Sequence, residues 1–293
     1  VDVGCHLPVF GPAADRATIL AFARRMEALG FASLWVSDHV VVPWTIRSRY
    51  PYSPTGEFPL TPDTPFLEPL TVLAAVAAVT ERIRLGTSVL VLPHRHPVLL
   101  AKMLASLDRL AGGGRVILGA GVGWLREEIE LFGVSYASRG AWSDEALRVL
   151  RTCWTEERPA FRGRFFRFDA LGFAPRPAAP IPIWIGGDSP AALRRAARLG
   201  DGWHAAYPDR AALEAGLDRL RQACREVGRD PATLTVSVRL GLPARRPAPE
   251  TAAELKALAD LGVRHVVLEA RPRGLDELAA LYERFASEVR PRL

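Results

Sequence analysis

The stretch Ile181-Pro182-Ile183-Trp184-Ile185-Gly186-Gly187-Asp188-Ser189-Pro190 decides the fold. An apolar run of strand character stops at two glycines, and Ser189-Pro190 opens an alanine-rich helix that runs to Leu199. Serine suits an N-cap, and proline suits the first helical turn, where its missing N–H costs nothing. The unit is a buried strand, a tight turn and a helix. Its turn presents free backbone N–H groups and the positive end of a helix dipole, which together favour an anion such as phosphate.

The same order recurs on both sides of this unit. Strands are predicted at 1–7, 33–37, 84–92, 116–120, 181–185, around 202–203, 234–240 and 263–268. Helices follow at 15–29, 68–79, 97–110, 145–154, 191–199, 210–227, 251–261 and 275–289, with a further helical stretch running to 132. A small hairpin is predicted at 161–168 and a surface loop at 243–249. Strands alternating with helices imply a parallel sheet. Eight such units in 293 residues predict a single α/β domain, 1–293, folded as a (β/α)8 TIM barrel with insertions. Segment 38–67 is too long for an ordinary connection and is predicted to be an active-site lid.

Composition excludes several function classes. No apolar run approaches the ~20 residues that span a bilayer, and nothing near the start reads as a signal peptide. Cys5, Cys153 and Cys224 are far apart and lack metal-ligand spacing, which fits a reduced cytoplasmic protein without a metal. The formal net charge is +6, yet Lys102 and Lys256 are the only lysines. The arginines are spread along helices beside acids, with no basic block interleaved with aromatics, so neither nucleic acid nor a membrane is expected as partner.

In a barrel the chemistry sits at the C-terminal ends of the strands. After the second strand come Asp38 and His39. Histidine titrates near neutrality, so His39 is the candidate acid or base, with Asp38 placed to raise its pKa. The alternative is that Asp38 caps a turn and His39 bonds to backbone. His94 and His96 flank a helix start at Pro97, where capping is as good a reading as chemistry, and no third ligand makes a metal site. Gly119-Ala-Gly-Val-Gly123 lacks the acidic residue of a dinucleotide fingerprint; Gly121 and Gly123 instead let a flat cofactor approach the backbone. Trp124, Trp184 and Trp203 close three consecutive strands, either as core or as aromatic walls around a ring system. Trp44 lies in the lid segment and is a candidate substrate contact.

Five segments carry a family resemblance: 30–39, ending in Ser37-Asp38-His39; 84–90; 107–124, from Leu107-Asp108-Arg109-Leu110 to Gly123-Trp124; Ile183-Trp184-Ile185-Gly186-Gly187; and 197–203. Taken together, they resemble the luciferase-like monooxygenase superfamily, in its coenzyme F420-dependent oxidoreductase branch. The resemblance implies a barrel that is often a homodimer, with Asp38 and His39 at the redox face of the cofactor ring. It implies a bulge with a non-prolyl cis peptide at Ser88-Val89, against which the deazaflavin bends. It also implies that Gly186, Gly187, Asp188 and Ser189 hold the cofactor phosphate. One position departs from the pattern: where some sugar-phosphate dehydrogenases of the superfamily carry a glutamate after the glycine loop, this chain has Trp124, with Glu127 and Glu128 a turn further on. The expected activity is hydride transfer between F420 and a small organic substrate. The alternatives are an FMN-dependent monooxygenase using reduced flavin and oxygen, and a non-catalytic cofactor-binding barrel.

Overall fold

Eight parallel strands close on themselves in the computed structural model, which describes residues 1–206, 209–243, 245–270 and 274–293. They are β1 (Asp2–His6), β2 (Ser33–Val36), β3 (Arg84–Thr87), β4 (Val116–Gly121), β5 (Ile183–Gly186), β6 (Gly202–Ala206), β7 (Thr235–Gly241) and β8 (His265–Glu269). Each pairs with its neighbours in chain order, for example Gly4 with Ser33 and Trp184 with Gly202. The circle closes where Asp2 pairs with His265. The barrel architecture expected from the alternating pattern is present.

Helices α1 (Arg16–Ala28), α2 (Pro69–Ala77), α3 (Pro97–Leu110), α4 (Arg126–Leu131), α5 (Arg139–Thr155), α6 (Pro190–Leu199), α7 (Arg210–Glu226), α8 (Ala248–Asp260) and α9 (Leu275–Arg284) follow the strands. Their starts obey capping chemistry: Asp15, Glu68, Ser189 and Asp209 each accept a backbone N–H of the first turn. Helix α5 begins six residues before the expected 145, and α8 takes up Ala248 and Pro249 from the expected loop. None of the described helices is long and apolar enough to cross a membrane.

Alternation along the strands divides the core in two. Val3, Cys5, Leu34, Val36, Leu118 and Ile185 face the helices in one large cluster. The inward positions form a second, small cluster of Trp35, Ile117, Trp184 and Val267, in which the two indoles stack at 5.3 Å. Glycines make room for them. A Cβ on Gly86 would lie 2.5 Å from the Trp35 ring, and one on Gly202 would lie 2.7 Å from Trp184. Large side chains opposite small ones fill the barrel axis, so the interior is packed and chemistry is confined to the mouth.

Candidate active site

The third strand breaks its own ladder at the mouth. Leu85 and Gly86 pair with Val116 and Ile117, and pairing resumes with Leu90 and Val91 against Ala120 and Gly121. One extra residue lies on the β3 side, which makes a bulge. Within it the Ser88-Val89 peptide is cis, as the family resemblance implied. The Val89 side chain leans across two glycines of neighbouring strands. A Cβ on Gly121 would come 2.6 Å from Val89, and one on Gly186 would come 2.7 Å from it. The bulge is thus seated in a cradle that any larger residue would fill.

Beside it, β5 ends in the predicted turn. Gly187 has φ +95°, a left-handed conformation that side-chain-bearing residues rarely adopt. Ser189 caps α6, with its Oγ accepting the Ala192 N–H at 3.2 Å. The Asp188 carboxylate does not cap the helix, and its Oδ1 is buried and makes no hydrogen bond among the described residues. Burial raises its pKa to about 6, with Arg219 and the Ala206 backbone N–H pulling the other way.

Across the mouth, His39 Nδ1 donates to Glu128 Oε2 at 2.8 Å. The His39 ring lies among Phe58, Phe66 and Trp124, with centroids 5.0, 5.6 and 6.0 Å away. Glu128 is buried. Burial alone would raise its pKa, but the His39 N–H, His94 and the Val41 N–H outweigh that and lower it. Its Oε1 accepts the Val40 and Val41 N–H groups at 2.6 and 3.1 Å. Glu127 takes the other end of the same segment, accepting from Arg47 N at 2.7 Å and Ser48 Oγ at 2.7 Å. Two adjacent acids of α4 therefore pin the chain that follows His39.

Asp38 has a different role from the one expected. Its carboxylate turns away from His39 and accepts Arg95 Nη1 at 2.7 Å, Arg95 Nη2 at 3.0 Å and the Val91 N–H at 2.8 Å. Burial disfavours its charge, yet His94 and Arg95 prevail and lower its pKa to about 2. Asp38 anchors the bulged strand to the start of segment 38–67. His94 stands between the two acids, 3.8 Å from Asp38 and 3.5 Å from Glu128, with neither ring nitrogen hydrogen-bonded among the described residues. His96 caps α3, accepting the Val98 N–H at 3.3 Å, as the structural reading of that pair had it.

The three tryptophans divide. Trp124 reaches the mouth and packs on Tyr50 and Phe58 at 5.0 and 5.1 Å. Trp184 is an inward residue of the barrel axis, wedged against Trp35 and His265, and is no wall of the mouth. Trp203 points outward against Gly216 of α7, and its Nε1 donates to Gly187 O at 3.0 Å. It braces the turn from behind and has no line to a substrate. Trp44 is 81% exposed. Gly123, at φ +77°, is filled in by Ile129 and Val91.

Sequence reading missed Glu128 as the partner of His39, since only the turn before α4 brings it back. It also missed the Arg239–Glu269 pair at 2.8 Å and buried His6, which donates to Leu7 O through Nδ1 and contacts Ser37 Oγ through Nε2. Their inward register at the ends of β1, β7 and β8 was the available signal.

The profile of the luciferase-like monooxygenase family matches residues 5–291, and the chain belongs to that family. An uncharacterized protein of Mycobacterium bovis is 38% identical over 215 residues, covering 73% of this chain and 74% of that protein. An F420-dependent glucose-6-phosphate dehydrogenase of Nakamurella multipartita is 35% identical over 198 residues, 66% of this chain but only 52% of the relative. Among solved structures, an F420-dependent secondary alcohol dehydrogenase in complex with an F420-acetone adduct has a similar fold, with a TM-score of 0.79 at 18% identity, covering 99% of this chain and 98% of that one.

Proposed function

We propose that this chain is an oxidoreductase that uses coenzyme F420 and exchanges a hydride with a small organic substrate. The observation that carries the reading is the mouth itself. A glycine-cradled bulge, a helix N-terminus behind a left-handed glycine, and a carboxylate-paired histidine converge on one opening. The donor set fits the cofactor: Val89 over Gly121 and Gly186 offers a smooth apolar seat for a flat ring, and Gly187 with Ser189 offers backbone N–H groups for its phosphate. When bound, F420 would supply the hydride chemistry through its deazaflavin ring.

The chain's own residues orient and manage the proton. Because ionised Glu128 only accepts hydrogen bonds, His39 Nδ1 holds a proton and Nε2 is the position that takes or releases one. Phe58 and Trp124 flank the His39 ring, and Tyr50 packs on both, so the exchange takes place against an apolar wall. Segment 38–67, pinned by Glu127 and Glu128, serves as the lid. Trp124 stands where some sugar-phosphate dehydrogenases of the superfamily carry a glutamate, and the two lysines lie on α3 and α8, which argues against a sugar phosphate as the substrate.

The test is titration of the purified protein with F420 and with FMN. F420 is expected to bind at least tenfold more tightly, a preference of about 1.4 kcal/mol. The reverse order would transfer the reading to a flavin-dependent monooxygenase, and binding of neither would end it.

A further inference from the structure

A continuous hydrogen-bonded chain runs along the barrel axis from its floor to the bulge. Trp35 Nε1 donates to Ser33 Oγ at 2.8 Å. Ser33 Oγ meets His265 Nε2 at 2.8 Å, His265 Nδ1 meets Ser237 Oγ at 2.9 Å, Ser237 Oγ meets His204 Nδ1 at 2.9 Å, and His204 Nε2 meets Ser88 Oγ at 2.7 Å. The six members come from β2, β8, β7, β6 and the β3 bulge, and all are buried. The Trp35 ring stacks on His204, 8° from parallel with centroids 5.3 Å apart, and holds that imidazole in place.

We infer that this chain has a single polarity, set by the Trp35 indole, and that it makes Ser88 a hydrogen-bond donor toward the ligand in the mouth. An indole N–H can only donate, so Ser33 Oγ is an acceptor at that contact. Among the described residues its remaining partner is His265 Nε2, so the Ser33 proton goes there. A neutral imidazole has one donor and one acceptor, so His265 carries its proton on Nδ1 and donates to Ser237. Ser237 then donates to His204 Nδ1, and His204 carries its proton on Nε2 and donates to Ser88. The Ser88 hydroxyl receives that bond and keeps its own proton for a partner outside the chain. The opposite polarity would leave the buried Ser33 proton facing the indole N–H with no acceptor.

Both imidazoles are neutral, as this requires. Burial pushes His204 down to about 3, helped by Arg239 and His6, and pushes His265 well below its ordinary value, helped by His204 and Arg84. A donor held at the bulge selects an acceptor, such as a ring carbonyl or an unprotonated ring nitrogen. Naming that acceptor as the ring of bound F420 rests on the function proposed above. His204, Ser237 and His265 are positioning residues that act through Ser88.

The experiment is nitrogen NMR of protein labelled at its histidines, with His204→Gln and His265→Gln used to assign the two signals. The expected tautomers are Nε2–H for His204 and Nδ1–H for His265. A His204 proton on Nδ1, or a mixture, overturns the polarity. In parallel, Ser88→Ala, verified as folded by circular dichroism, is titrated with F420 and FMN. At least a tenfold loss of the affinity that wild type shows is expected, and undiminished affinity overturns the donor role. If wild type binds neither cofactor, the proposed function fails while the tautomers still decide the polarity.

Discussion

His39 Nδ1 and Glu128 Oε2 stand 2.8 Å apart although 89 residues separate them in the chain. In the proposed function this pairing leaves Nε2 as the nitrogen of His39 that exchanges a proton, because a carboxylate accepts and never donates in its ionised form. The same carboxylate also holds segment 38–67, since its other oxygen accepts the Val40 and Val41 N–H groups. Glu128→Gln is therefore expected to lower kcat ~10²-fold or more, the usual contribution of a positioned acid or base. His39→Ala should do the same while leaving F420 affinity within a few-fold. Steady-state kinetics with a separate binding titration checks both. Wild-type kcat in either variant would make the pair structural.

The contacts of Asp38 with Arg95 and Val91 predict a contribution to stability. Replacing Asp38 by Asn leaves Arg95 with the partly exposed Glu68, 2.8 Å away, as its remaining ion-pair partner among the described residues, so the cost falls below that of breaking an isolated buried pair, about 3–5 kcal/mol. The pH dependence has a definite sign. Asp38 is held at about 2 in the folded protein against 3.8 ordinarily, so its stabilisation is complete above 3.8 and is lost as pH falls toward 2. Urea unfolding across that window should show wild type losing stability in acid and Asp38→Asn, already weakened, losing less. Parallel curves would remove Asp38 as the source.

The left-handed turn is testable by backbone obstruction. At Gly187 a Cβ has room, with Ala192 its nearest contact at 3.5 Å, so the penalty of a larger residue is conformational. Gly187→Val is expected to weaken F420 binding by at least tenfold, about 1.4 kcal/mol. Ser189→Ala removes one cap bond and should lose about 1 kcal/mol. Fluorescence titration of both, beside circular dichroism, decides the matter. A folded Gly187→Val protein of normal affinity would move the phosphate elsewhere.

Asp188 is expected to make F420 affinity depend on pH. Its pKa is raised to about 6, so the group is neutral below that point and ionised above it. A phosphate beside it binds better when it is neutral, and wild-type affinity should fall as pH rises through about 6. The folded protein likewise carries a penalty for the ionised form that grows from 3.8 upward. Asp188→Asn should bind F420 more tightly at neutral pH by about 1 kcal/mol, roughly fivefold after solvent screening, and equal wild type in acid. A constant ratio of affinities across pH would refute the coupling.

The alternation of strands and helices was written in the chain, because period and capping are local: Ser189-Pro190 opens α6 where its chemistry says, and Pro97 opens α3. The glycine turn of 186–187 and the histidine after β2 were legible for the same reason. Only the tertiary structure decided what each side chain faces. Trp184 and Trp203 look alike as strand-end aromatics, yet one register position turns the first into the barrel axis and the second onto α7. Neighbours in sequence parted likewise: Asp38 found Arg95, and His39 found Glu128 across the mouth. Periodicity says that a residue is buried. Which of two faces it takes, and which distant charge meets it there, depends on barrel closure, which no local stretch encodes.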